Sequence, residues 1–464
     1  GLMSRHITTR AQVSGYRFGL SRAEHALVRR DAGMAHDPMR GQSRSLMAGI
    51  ILAVLVVAGA GIYGFIRPAP SVRDGKILAA DNGALYVLVD DVMHPVPNLA
   101  SARLILGQPL PVRHVSDASL ARYPRGAAVG IPGAPGALAG PAVPGESQWT
   151  LCDGPEGTTI IAGAMGSGAT VSASALVESA GERWLIYPAP GPASVGPVRA
   201  RVDQRRVELL RALGLESATA RTIDIGLLNS LPVRPDLAIP DVADRAKPGV
   251  LGMPVGSVIA TAGVDGIDRF RLVLADGVQP LSAPAAELMR SIDPSADDAI
   301  RRVPPRAVAS VPVRDSVALG HFPEAAPVLV DDRWPVLCHR WSRQQDDRSA
   351  TLQLVVASRL PLPTGARPVV LASADGRGPA LDQVYLPPGS GEHVLLTGIE
   401  PNSVQASAPV YISDAGVRYP IAGPATAETL GLSDPVRAPW PIIGLLPAGV
   451  ELSREAAVVT RDGS

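Results

Sequence analysis

Two cysteines, two lysines and eight histidines set the range of chemistry open to this 464-residue chain. A phosphate cradle needs a glycine-rich loop followed by Lys and Ser or Thr, because backbone N–H groups hold the phosphates and the ammonium neutralises them. The run Gly163 to Thr170, GAMGSGAT, has the glycines but no lysine, and neither Lys76 in RDGKIL nor Lys247 in DRAKPG has the required spacing. No Gly-x-Ser-x-Gly elbow occurs, and the histidines are scattered without metal-ligand spacing. Asp90, Asp91, Asp276 and Asp414 sit in turn contexts, where a backbone role suffices to explain them. The residues therefore predict no catalytic constellation, no metal and no cofactor. Cys152 in WTLCDG and Cys338 in PVLCHRW each lie in a short strand-like stretch near a tryptophan. They form a disulfide in an oxidising compartment or remain two buried thiols.

The compartment follows from one apolar run. Leu46 to Ile66, LMAGIILAVLVVAGAGIYGFI, carries no charge between Arg44 and Arg67. As a helix it spans about 31 Å at 1.5 Å per residue, which matches a hydrocarbon core of about 30 Å. A buried core helix is usually shorter, and a signal peptide rarely follows a long polar stretch. Eight arginines precede the run, against Arg67, Arg73 and Lys76 just after it, which puts the N-terminus in the cytoplasm and the rest of the chain outside. There a disulfide is the default, closing a loop of about 186 residues with an entropic upper bound of roughly 5 kcal/mol.

Before the span, TTRAQVSGYRFGLSRAEHALVRR offers Thr8 or Thr9 as an N-cap, and Val13, Tyr16, Leu20, Ala23 and Leu27 at helical spacing. Such a stripe needs an apolar partner, either a protein or a lipid surface with Arg17, Arg29 and Arg30 at headgroups; the plainer alternative is a fraying cytosolic helix. A partner protein is the preferred reading.

The chain carries 47 Gly and 45 Pro over its full length, most of these turn formers beyond the span, and its overall formal charge is zero. Long helices are not expected there, and nothing attracts nucleic acid. One small pattern recurs. LYVLVDDVMHPV, FRLVLADGVQPL and PVYISDAGVRYPI each read as a β-hairpin, with turns at Asp91, Gly277 and Gly416 that suit positive φ and a strand closed by Pro95, Pro280 or Pro420. Each is followed by a helical segment, NLASARLILG, SAPAAELMRS or AGPATAETLGL, and then by an apolar run closed by Pro124, Pro312 or Pro447. A degenerate copy fits ERWLIYPAPGPASVGPVRARVDQRRVELLRALGL and the tail at Pro232, with its turn eroded by Pro188, Pro190 and Pro192 and a helix expected from Asp203 to Leu213. A hairpin alone is marginal in water, so small units of this kind must pack around a shared centre. Between the third and fourth copies TLQLVVASRL and RPVVLA alternate as strands of a β-rich central domain.

The order of amphipathic helix, single span, repeat ectodomain and two cysteines resembles the EccB component of mycobacterial type VII (ESX) secretion systems. The resemblance is carried by TTRAQVSGYRF, LSRAEHALVRRD, DPMRGQSRSL, GALYVLVDDVMHPVPNLASARLILG, VGIPGAPGA, WTLCDG and GVRYPIAGPATAETLGL with APWPII, over nearly the whole chain. ADGRGPALDQVYLPPG looks most like the version in the fourth, ancestral ESX system. The resemblance implies a core subunit of an inner-membrane secretion complex with EccC, EccD and EccE, where EccC is the FtsK/SpoIIIE-type motor, and an ectodomain that self-associates. It also brings an ATPase label, which the missing Walker pattern puts in doubt.

The expectation is an α+β membrane protein: a cytosolic helix region (1–45), a transmembrane helix (46–66), repeat 1 (67–145), repeat 2 (181–245), repeat 3 (246–313) and repeat 4 (401–464), around a central domain in two pieces (146–180 and 314–400). Its expected role is a structural subunit of the secretion complex in the plasma membrane, with the C-terminal body periplasmic. The other readings are an ectodomain nucleotide hydrolase and a peptidoglycan-binding module.

Overall fold

Alternating apolar residues around an Asp-Asp turn make a hairpin of Leu85–Val89 with Val92–Val96. The turn forms because Asp90 and Asp91 both take positive φ, 49° and 62°, the backbone twist that tight hairpins require. This hairpin is part of a four-stranded sheet. Lys76–Ala79 pairs antiparallel with the first hairpin strand, and Val112–His114, arriving after the helix Leu99–Leu106, pairs parallel with Lys76–Ala79. The structure is a computed structural model that describes residues 10–29, 38–66, 76–191, 196–294 and 300–461. The chain divides into two units, Gly1–Arg73 and Asp74–Ser464.

Three further four-stranded sheets in the second unit have the same order, third strand, second, first, fourth. Their first strands are Ala175–Ser179, Val258–Ala262 and Gly391–Thr397, and their parallel fourth strands are Arg221–Thr222, Arg301–Arg302 and Val436–Pro439. In each, a helix follows the third strand: Val207–Ala212, Ala283–Ser291 and Pro424–Leu430. The expected helix from Asp203 to Leu213 is shorter at its start. Val202 bridges Leu237 there, and the Asp203 amide donates to the Leu237 carbonyl, which holds the chain extended into residue 203. The two strands of the degenerate copy do pair, Pro188 opposite Pro197, and Pro192 lies outside the described residues.

The prolines at 124, 232, 312 and 447 do the same work in all four sheets. A third-strand residue donates its N–H to the proline carbonyl and accepts from the N–H two residues beyond it. The pairs are Met93 with Pro124 and Gly126, Arg199 with Pro232 and Arg234, Val278 with Pro312 and Arg314, and Arg418 with Pro447 and Gly449, all at 2.8–3.0 Å. Because proline lacks an N–H but keeps its carbonyl, it serves at such a half-paired edge. The third strand, otherwise an open edge, is thereby covered.

A seven-stranded mixed sheet lies among them, in the order Val369–Val370, Gln383–Tyr385, Gly157–Ala162, Glu146–Gly154, Val336–Gln344, Thr351–Ala357, Ala169–Val171. One face meets the second and fourth sheets in a core that includes Trp149, Leu151 and Trp341 with Val177, Ile186 and Leu228 on one side and Val394, Ile412 and Ile443 on the other. The second and third sheets join through their helices, Leu209 and Leu213 against Leu288 and Met289. The first and fourth join likewise, Leu99–Leu106 against Pro424–Leu430 and Arg454–Ala457, and Arg103 donates to the Leu430 carbonyl at 2.6 Å.

In the N-terminal unit, helices run over Arg10–Arg29 and Pro38–Ile66. Thr8 and Thr9, the expected N-cap, lie outside the described residues. Side chains of the second helix are described over 45–59 and are exposed all round. Among the described residues no helix is long and apolar enough to cross a membrane.

Candidate functional site

The two cysteines sit on adjacent strands of the central sheet, Cys152 directly opposite Cys338 with Cα atoms 4.0 Å apart, and they are joined as a disulfide. Both are buried on the face opposite the tryptophans, among Ile161, Val355 and Ala357, with Leu360 and Leu362 of the following loop laid over them. A chemically inert, inaccessible bridge of this kind clamps the sheet's middle rather than exchanging with thiols.

His339, the next residue, faces the other core and is fully buried; burial pushes its pKa down to about 3. Its Nδ1 lies 3.1 Å from the Ser230 hydroxyl, which donates to the Leu227 carbonyl at 2.7 Å. The single hydroxyl proton is thus spent, so Nδ1 carries the imidazole proton and donates to Ser230. His339 is a neutral strut between the central sheet and the short helix Ile225–Asn229.

Carboxylates gather where that helix begins. Asp153 accepts the Asp224 N–H, and Asp224 caps the helix through the Gly226 N–H at 2.6 Å. Burial raises the Asp153 pKa to about 6 and raises that of Asp224 as well. Asp382 accepts from the Thr158, Asp375 and Gly376 amides at 2.6–2.9 Å. These acids are spent on backbone donors, and among the described residues no group of three His, Cys, Asp or Glu could hold a metal ion.

The glycine-rich loop is likewise committed. Gly163 donates to the Gln148 carbonyl and Gly166 to the Pro361 carbonyl, both at 2.9 Å, so two N–H groups that a phosphate would need are already bonded. Lys76 is exposed at a strand start and Lys247 is paired with Asp244 at 2.7 Å. A groove of about 910 Å³ opens beside this loop, lined by Leu360, Leu362 and Val370 with Arg359 and Arg367.

The expected turn residues sit at hairpin turns but for different reasons. Asp91 and Gly416, at φ 62° and 78°, need the left-handed region. Gly277 does not take positive φ, contrary to the sequence reading: a Cβ there would come within 2.5 Å of the Pro312 carbonyl oxygen, so close approach of the proline tail explains it. Val13, Tyr16, Leu20 and Leu27 all project from the first helix exposed, Tyr16 at 72%, and Phe18 is exposed on the opposite side. Sequence reading missed Glu392 and His393, both buried; the only signal was a charged pair, GEHVLLTG, inside an apolar strand.

The body is thus a set of clamped sheets with committed backbone donors, and the N-terminal unit carries one helix that is apolar and exposed where described. The family described as "Type VII secretion system ESX-1, transport TM domain B" matches residues 5–464, and the chain belongs to this EccB family. It is 34% identical to the ESX-3 secretion system ATPase EccB3 of Mycolicibacterium smegmatis, over 99% of this chain and 92% of that one. It is 32% identical to the ESX-5 secretion system ATPase EccB5 of Mycobacterium tuberculosis, over 98% and 94%. Among solved structures it resembles a chain of an intact ESX-5 inner membrane complex, with TM-score 0.70, 31% identity and coverage of 99% and 97%. It also resembles the EccB3 dimer from the ESX-3 core complex, with TM-score 0.70, 31% identity and coverage of 83% and 100%.

Proposed function

We propose that this chain is a structural core subunit of an inner-membrane type VII secretion complex. The observation that carries the reading is the near end-to-end match, at TM-score 0.70, to a chain of an intact ESX-5 inner membrane complex. Residues 46–66 anchor it as a single span with the N-terminus in the cytoplasm and the body periplasmic. Support comes from the helix Pro38–Ile66, apolar and exposed all round where described, a pattern that suits lipid. The stripe Val13, Tyr16, Leu20 and Leu27 docks cytosolic parts of EccC-, EccD- or EccE-type partners. The body is built of four repeats, in regions 67–145, 181–245, 246–313 and 401–464, around a central part from 146–180 and 314–400. The first strands Ala175–Ser179 and Gly391–Thr397 join the second and fourth repeats across those borders. The relation of this chain to the solved EccB3 dimer supports self-association through the body.

Mild-detergent purification with mass measurement tests this: co-purification with partner subunits in a multi-copy assembly is expected, and a lone monomer would contradict it. The names of the relatives favour a second reading, a nucleotide hydrolase. Steady ATP turnover by the purified chain, abolished by one point substitution, would establish it.

A further inference from the structure

The groove of about 910 Å³, at the upper end of the roughly 300–1,000 Å³ usual for ligand sites, opens on the disulfide side of the central sheet. The loop at 358–368 forms much of its wall and leads from the strand Thr351–Ala357 to the edge strand Val369–Val370. That wall is stiff. Pro361, Pro363 and Pro368 fix φ at three points, and the Leu362 and Ala366 amides donate to the Leu360 and Pro363 carbonyls at 2.8 and 3.0 Å. The glycine-rich loop braces it: besides the hydrogen bond from Gly166 to Pro361, a Cβ at Gly166 would come within 1.9 Å of the Leu362 carbonyl oxygen. A groove held open in advance loses little freedom when a ligand enters.

Three features of the groove point to one kind of ligand. Leu360, Leu362 and Val370 give it an apolar lining, with Val370 67% exposed. Arg359 and Arg367 stand exposed in the same lining, and among the described residues neither has a carboxylate partner; the one acid in the lining is Glu156. The edge strand Val369–Val370 pairs with Gln383–Tyr385 on one side and, among the described residues, with no strand on the other. Such an edge leaves backbone N–H and C=O groups open to an extended chain. An apolar lining alone would suit many ligands, but unpaired guanidiniums favour carboxylates and a free edge favours a polypeptide. No aromatic ring lines the groove, so a sugar face has nothing to stack on.

We propose that this groove docks an extended acidic segment of a partner protein. Two carboxylates of the segment meet Arg359 and Arg367, and apolar residues between them cover Leu360, Leu362 and Val370. Both arginines are exposed and unpaired, so replacing them leaves the body intact.

The test is fluorescence anisotropy of the purified full chain in lipid nanodiscs with a panel of capped, labelled heptapeptides that place two Glu at every spacing among Leu, Val and Pro. The double variant Arg359→Gln, Arg367→Gln and a control, Arg113→Gln at an exposed position of the first sheet, run beside it, each checked for an unchanged circular-dichroism melt. Saturable binding of at least one peptide is expected, lost when its Glu residues become Gln, weakened by added salt and weakened at least tenfold in the double variant but not in R113Q. No saturable binding by any peptide, equal binding by wild type and double variant, or an equal loss in R113Q overturns the proposal. So does displacement of the bound peptide by the muramyl disaccharide of peptidoglycan, which would assign a glycan, or a smaller assembly for the double variant in mass measurement, which would assign a second copy of this chain.

Discussion

Buried ionisable groups give this molecule opposing pH responses. Burial lifts the Glu392 carboxyl from its ordinary 4.5 to about 7 in the folded protein. A raised pKa means that the folded state holds the proton more tightly, so the contribution is full below pH 4.5 and lost as pH rises through 7. Glu392→Gln should match wild type near pH 4 and exceed it by up to about 3 kcal/mol at pH 8.5; urea melts across that range check it. His339 acts in the other direction: its pKa falls from 6.5 to about 3, so the unfolded chain takes up the proton first and stability drops as pH falls between those values. His339→Gln should flatten that acid limb. The disulfide closes a 186-residue separation, and replacing Cys152 and Cys338 by Ala should lower stability by about 2–5 kcal/mol. Equal denaturation midpoints for the wild type and the double variant would contradict this.

At the scale of elements, the proline tails bind each third strand. Gly277→Ala would drive a Cβ to 2.5 Å from the Pro312 oxygen and should cost about 1–3 kcal/mol while leaving secondary structure unchanged. Gly83→Ala, at an open turn, offers a control with positive φ but no such contact. Three hairpins, their helices and the four prolines were legible in the sequence because turns, caps and tails are local. Asn98 and Ser282, for instance, cap the helices they precede through the Ser101 and Ala285 amides. The first strands were not legible: Ala175–Ser179 and Val258–Ala262 are short, almost wholly buried and lack alternation. The two-residue parallel strands Arg221–Thr222 and Arg301–Arg302 exist only because a distant partner supplies the pairing. Glu392 and His393 were hidden for a related reason, since Pro141, Pro144 and Gly145, some 250 residues away, line the same cavity.

At the scale of the whole molecule, small units with at most minor clusters of their own pool most of their apolar residues into larger shared cores. The central sheet packs on the second and fourth sheets, and each of these carries a further sheet through paired helices. The first and fourth are tied again by the chain's end, Thr460–Arg461 pairing with Ala128–Val129. Arg103→Ala should cost about 1.5–3 kcal/mol by removing the charged donor to the Leu430 carbonyl, and it should loosen the contact between those two sheets in hydrogen exchange. A body of clamped sheets joined in this way fits a structural core subunit.

The proposed topology, one anchor with the body beyond the membrane, makes a direct prediction. In a cysteine-free background, single cysteines at the exposed positions Tyr16→Cys and Val264→Cys can be probed in spheroplasts with a membrane-impermeant maleimide. Labelling of position 264 but not 16 until the membrane is permeabilised is the predicted result. Labelling of position 16 alone, or of neither before permeabilisation, would contradict it.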